Sequence, residues 1–192
     1  MEFEKSRTWA NLMSAFAGES QARTKYENYA RKASEQGYEQ IAAIFRATAA
    51  NELAHASIWL EALHEGALPD TLVNLQDAAQ GEHFEWSSMY KDYAEIAREE
   101  GYTRLAAAFE LTARVEAEHE ARYRSLIGHL EQGSLSKRAE KTVWICRYCG
   151  HIHEGEAAPM RCPLCGKAQG FFEVHSREVR SLFIRKKPSG AV

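Results

Sequence analysis

Asn51-Glu52-Leu53-Ala54-His55 contains Glu-x-x-His, and sixty-four residues later the chain reads Val115-Glu116-Ala117-Glu118-His119. Side chains three apart on an α-helix share a face, so each pair can reach one point. Two such pairs on different helices, joined by one more Glu from each of two further helices, make the ligand set of a di-metal carboxylate site inside a four-helix bundle.

The rest of the chain supplies those parts. Strong helix formers dominate residues 5 to about 132, and Pro is absent from 1 to 68. Gly37 and Gly101 sit where helices end, since a left-handed residue is cheapest for glycine. Glu65-Gly66-Ala67-Leu68-Pro69-Asp70-Thr71 is a breaker between two halves. The expected helices are about 5–36, 38–65, 72–100 and 102–132. The halves repeat: Gly37-Tyr38 aligns with Gly101-Tyr102, Phe45 with Phe109, Glu52 with Glu116 and His55 with His119, all at an offset of 64. Gly18-Glu19 aligns with Gly81-Glu82 at 63.

Stepping by three or four gives core-facing stripes. They run through Leu12, Ala15, Glu19, Ala22 and Tyr26; Ile41, Phe45, Thr48, Glu52, His55, Trp59 and Leu63; Leu75, Ala78, Glu82, Glu85 and Met89; and Phe109, Thr112, Glu116, His119, Tyr123 and Leu126. Carboxylates in the middle of every stripe would cost several kcal/mol per ion to bury without a cation. Glu61 and His64 also fit Glu-x-x-His, but their repeat positions are Ser125 and Gly128 and they fall on the opposite helix face. They read as surface residues. Glu85 breaks the symmetry, because its counterpart is Ala22. His83 and Glu118 point off the stripe. Glu120 is ambiguous, and with Ala56 as its counterpart it stays outside the set. Tyr26 fits either an ordinary core position or a hydrogen bond to a ligand carboxylate.

At 192 residues with 45% hydrophobic content the chain can bury a core, and 27 acids against 24 bases give a net charge of −3. That balance argues against a nucleic-acid or membrane-surface partner. No apolar run reaches membrane-spanning length, and Met1–Lys5 has no export-signal character, so a cytoplasmic location is expected. All four cysteines fall in the last quarter, as Cys146-x-x-Cys149 and Cys162-x-x-Cys165. Two such knuckles read as a tetrahedral thiolate site for zinc or iron. Residues 133–141 read as a linker, 142–176 as a small domain that depends on its metal for folding, and 177–192 as a basic tail.

With these residues together the chain resembles the rubrerythrins: a mainly α, ferritin-like four-helix bundle over 1–132 followed by a small rubredoxin-like metal-binding β domain. Cys146-Arg147-Tyr148-Cys149-Gly150 and Cys162-Pro163-Leu164-Cys165-Gly166 resemble rubredoxin knuckles, and His153-Glu154-Gly155 and Ala158-Pro159 resemble the rubrerythrin form of that domain. The resemblance implies two irons in the bundle and one iron at Cys146, Cys149, Cys162 and Cys165, where zinc is the alternative. It implies that Glu52 and Glu116 bridge the two irons, that Glu19 binds the first, and that Glu82 and His119 bind the second. Glu85 and His55 would be alternative ligands to the first iron, Glu85 when oxidised and His55 when reduced. The implied reaction is reduction of hydrogen peroxide to water for oxidative-stress protection. Electrons would come from an external, NADH-linked reductase through the thiolate iron, in a homodimer or larger homo-oligomer. Ferritin-like iron oxidation or storage, and a zinc-ribbon adaptor, are the competing expectations.

Overall fold

The computed structural model describes residues 2–175; the basic tail expected over 177–192 lies outside them. Two compact units meet in sequence between Asp70 and Thr71, inside the breaker. The first unit is a helical hairpin of α1 (Arg7–Glu35) and α2 (Glu39–Leu63). Ser6 caps α1, its hydroxyl oxygen accepting from the Trp9 backbone N–H at 3.0 Å. Gly37, at φ 81°, closes α1. The Tyr38 N–H reaches back to Ala33 O at 2.8 Å and the Gly37 N–H to Ser34 O at 2.9 Å, a Schellman turn that reverses the chain at once. The second unit repeats the device at Gly101, with Tyr102 N–H donating to Ala97 O at 2.7 Å.

Alanines form the seam of each hairpin. Ala30, Ala33, Ala42, Ala49 and Ala56 are buried in the first, and Ala79, Ala94, Ala97 and Ala106 in the second. Small side chains let the two helices of a pair approach closely. A pair of helices has one seam, so Ile41 and Ile44 on α2 and Leu111 and Val115 in the second unit stay exposed. Ile41 therefore does not occupy the core position expected from its stripe.

The second hairpin pairs α5 (Thr103–Glu131) with a long helix that the sequence predicts to be continuous over 72–100. It is not continuous. Helix α3 (Thr71–Phe84) passes into a π-helical turn over Glu85–Met89 before α4 (Tyr90–Glu99) resumes. Such turns arise when one residue is inserted into an α-helix, and they recur at functional sites. The insertion is visible as the change in repeat offset, from 63 at Glu19/Glu82 to 64 at Tyr26/Tyr90.

A three-stranded antiparallel sheet of order β2-β1-β3 follows, built from β1 (Lys137–Cys146), β2 (Ile152–Ala157) and β3 (Phe172–Val174). The first strand begins within the stretch expected as a linker. Arg138 lies over the Trp144 ring and Ser134 bonds back to His129 at the end of α5. Trp144 is fully buried, packs with Cys146, Ala158, Cys162 and Phe172, and donates its indole N–H to Gly155 O at 2.9 Å.

No helix among the described residues is long and apolar enough to cross a membrane.

Candidate metal centres

Three groups of ligand-type side chains converge among the described residues: Glu19, Glu52 and His55; Glu82, Glu116 and His119; and the four cysteines. Within each group the ligand atoms all lie within 4.8 Å of one another.

The first triad belongs to the first hairpin. Glu19 comes from α1, and Glu52 and His55 from one turn of α2. His55 Nδ1 lies 2.9 Å from Glu52 Oε2 and 3.8 Å from Glu19 Oε1. The second triad belongs to the second hairpin, with Glu82 from α3 and Glu116 and His119 from α5. His119 Nδ1 lies 2.7 Å from Glu116 Oε2 and 3.6 Å from Glu82 Oε1. The two arrangements match because the repeats place the same residue types on the same helix faces. Glu52 and Glu116 are the most enclosed members, with side chains 15% and 13% exposed. Their histidines are more open, at 50% for His55 and 38% for His119.

Crowded carboxylates repel one another. Burial and the charge of Glu116 raise the Glu82 pKa, with a further push from Glu85 and an opposing pull from His119. That is the electrostatic signature of a site built for a cation: the same oxygens that repel each other would all be neutralised by a metal ion. Glu85 stands at the first position of the π turn and does not join either triad among the described residues. Its charge is felt by both Glu82 and Tyr90. Burial first, and then the charges of Glu85 and Glu116, raise the Tyr90 pKa, so its phenol keeps its proton.

Three features here lie beyond what the sequence predicts: the π turn, the setting of Tyr90, and a polar network around Glu120. Glu120 is buried, unlike the solvated residue its helix position allows. Its carboxylate accepts hydrogen bonds from the indole of Trp86 and the guanidinium of Arg124, and lies 3.0 Å from His83 Nδ1. The Trp86 hydrogen bond, with those from Arg124 and His83, outweighs burial and holds the Glu120 pKa down to about 2. Glu61 and His64, the decoy Glu-x-x-His, are exposed, as expected.

The cysteines are presented by two matching knuckles. Gly150 N–H donates to Cys146 O and Gly166 N–H to Cys162 O, both at 2.8 Å, with the glycines at φ 74° and 73°. The left-handed glycine turns each loop so that both of its sulfurs face inward. The Sγ atoms of Cys146 and Cys165 are 3.8 Å apart, and those of Cys149 and Cys162 are 3.6 Å apart. A tetrahedral ion with metal–sulfur bonds of about 2.3 Å needs sulfurs about 3.8 Å apart, so the cluster fits one ion. The thiols are electrostatically unequal. The His151 backbone hydrogen bond lowers the Cys149 pKa, yet burial and the neighbouring thiols push it up to about 12. Burial raises that of Cys162, but hydrogen bonds from the Cys165 and Leu164 backbones and from its thiol neighbours bring it to about 7.

Comparison with known proteins follows this division of the chain. The family model described as Rubrerythrin matches residues 10–127 and 74–144, and the one described as Rubrerythrin, rubredoxin-like domain matches 144–173. A rubrerythrin of Porphyromonas gingivalis is 44% identical over 179 residues, covering 88% of this chain and 90% of the relative. A rubrerythrin of Nitratidesulfovibrio vulgaris is 40% identical, covering 88% and 94%. Nigerythrin of the same organism is 34% identical, covering 88% and 86%. Donor chemistry and family matches agree on a Glu/His di-iron site of ferritin-like type, and sulfur spacing and family matches agree on a four-Cys rubredoxin-like metal site. The chain belongs to the rubrerythrin family.

Proposed function

We propose that the chain is a non-haem peroxidase that reduces hydrogen peroxide to two molecules of water, taking up two electrons and two protons per turnover. The reading is carried by one observation: two matched Glu/Glu/His triads among the described residues, with an extra carboxylate, Glu85, on a π turn where its charge acts on Glu82 of the second triad. When bound, the two irons would supply the two electrons needed to reduce the O–O bond.

The residues divide the remaining work. Glu52 and Glu116, the most enclosed carboxylate of each triad, would be the ligands common to both irons. Glu19 serves one iron, and Glu82 and His119 serve the other. Glu85 and His55 would be alternative ligands of the first iron. The anionic Glu85 suits the higher charge of the oxidised state, and the neutral His55 suits the reduced state. The exposure of His55 leaves it room to move. Tyr90 retains its proton within the field of Glu85 and would donate to a carboxylate that changes partners. An iron held by the four cysteines would supply one electron at a time and so would be needed twice per turnover. It is refilled by an external, NADH-linked reductase in the cytoplasm, where thiolates stay reduced. The assembly is a homodimer or larger.

Anaerobic titration of the reduced, iron-loaded protein with peroxide tests this reading. One peroxide should reoxidise each di-iron centre, and a reductase system should sustain turnover. Accumulation of a ferric mineral in place of steady peroxide consumption would instead identify an iron-storage protein. Zinc at the cysteines would remove the electron relay.

A further inference from the structure

We propose that Glu120 is a positioning residue: its buried carboxylate clamps the π turn through Trp86 and His83, and so sets where Glu85 stands. Its consequence for turnover rests on the reading of Glu85 as an exchanging ligand; the clamp itself does not.

Glu120 is the buried charged residue of the described chain. Both of its oxygens are engaged. Oε2 accepts from Trp86 Nε1 and faces His83 Nδ1 at 3.0 Å, while Oε1 accepts from Arg124 Nε. Neither oxygen joins a ligand triad. The partners flank the residue that matters. His83 lies two residues before Glu85 and Trp86 one residue after it, so a single carboxylate on α5 grips both sides of Glu85. The His83 and Trp86 rings meet edge-on at 5.2 Å, and Lys91 covers the indole at 5.4 Å. A π turn gives up regular α-helical hydrogen bonding and needs anchors outside its own helix. Trp86 and Glu120 are such an anchor, separated by 34 residues in sequence.

The repeat supplies an internal control. The first hairpin has no π turn among its described residues, and no carboxylate stands where Glu120 does. Glu120, Arg124 and His83 correspond to Ala56, Leu60 and Ser20. Those three line an open groove of about 420 Å³. The extra carboxylate, the π turn and the clamp thus occur together in one hairpin and are absent together from the other.

The test is hydrogen exchange on the full chain as isolated, read on peptides covering 82–93 and 19–29. Glu120→Gln and Trp86→Phe should each raise exchange over 85–89 about tenfold and leave 19–29 unchanged. Both variants should keep two bundle irons and slow peroxide reoxidation on the order of tenfold, with the double variant no slower than either single one, as for two ends of one contact. If Glu120→Gln does not fold, Trp86→Phe keeps the aromatic bulk and removes only the donor, and carries the same measurement. Unchanged exchange over 85–89 overturns the clamp. Raised exchange with undiminished reoxidation overturns the positioning role. Glu85→Ala measured in parallel separates the two ideas: full activity there overturns the reading of Glu85, whereas slow Glu85→Ala beside fast Glu120→Gln overturns only the role given to Glu120.

Discussion

Tyr90 packs against Phe109 with ring centroids 6.0 Å apart and planes at 32°. Tyr26 and Phe45 have the same separation and angle in the other hairpin. Yet Tyr90 follows Glu82 by eight residues, and Tyr26 follows Glu19 by seven. An inserted residue would rotate everything after it by about 100° if the helix stayed regular. The π turn absorbs the insertion locally, so the Glu/Glu/His triad before it and the Tyr–Phe pair after it both match the other hairpin, and Glu85 is the turn's first residue.

Deleting Ser88 from the π turn should therefore restore a regular helix and misplace Glu85. We expect near-native helix content by circular dichroism, two bundle irons, and peroxide reoxidation slowed at least about tenfold. Native activity in this deletion would remove the functional meaning of the π turn.

Glu52→Ala should lose bundle iron altogether, because it removes the most enclosed carboxylate of its triad. Glu61→Ala and His64→Ala should bind iron normally. Iron per chain by elemental analysis distinguishes them, and equal losses in all three would sink the assignment.

Cys162→Ser should empty the four-Cys site and unfold the small sheet around Trp144, whose core includes the cysteines themselves. Pre-reduced di-iron centres should still react once with peroxide, while reductase-driven turnover stops. Stopped-flow absorbance compared with steady-state assays checks both halves of this expectation.

Iron uptake by the second triad should weaken on acidification. Glu82 has a raised pKa, so it binds a proton at a higher pH than an isolated carboxylate, and metal must displace that proton. Loading iron at mildly acidic pH should release protons, and Glu82→Gln should release fewer. Calorimetry in buffers of different ionisation enthalpy measures the difference.

Ala42→Leu should destabilise the first hairpin by about 1–3 kcal/mol through overpacking. Ala42 is fully buried in the seam beside Ala30 and Ala33, with Phe45 packed against them. Thermal or denaturant unfolding provides the measurement. An unchanged midpoint would show that the seam can open at no cost.

Much of the chain was legible because its signals are local. Glycine turns at Gly37 and Gly101, Glu-x-x-His on one helix face and Cys-x-x-Cys knuckles each depend on a few consecutive residues, and the repeat doubles every signal in the bundle part. The offset change from 63 to 64 was also in the sequence, but an extra residue can be absorbed by a loop, a kink or a π turn with the same letters. Which of these occurs depends on what holds it in place. Trp86 and Glu120 lie on different elements, and nothing in the text of either helix states that they meet. With Ala56 as its counterpart, Glu120 carries no repeat signal; its contacts with Trp86, His83 and Arg124 emerge only in the fold. The sequence by itself determined which side chains can bind metal and how each hairpin turns, because those follow from short-range backbone geometry. Only the tertiary structure decided that the third helix breaks as a π turn and that Glu120 is buried, because Glu120 meets Trp86 and His83 across elements far apart in the chain.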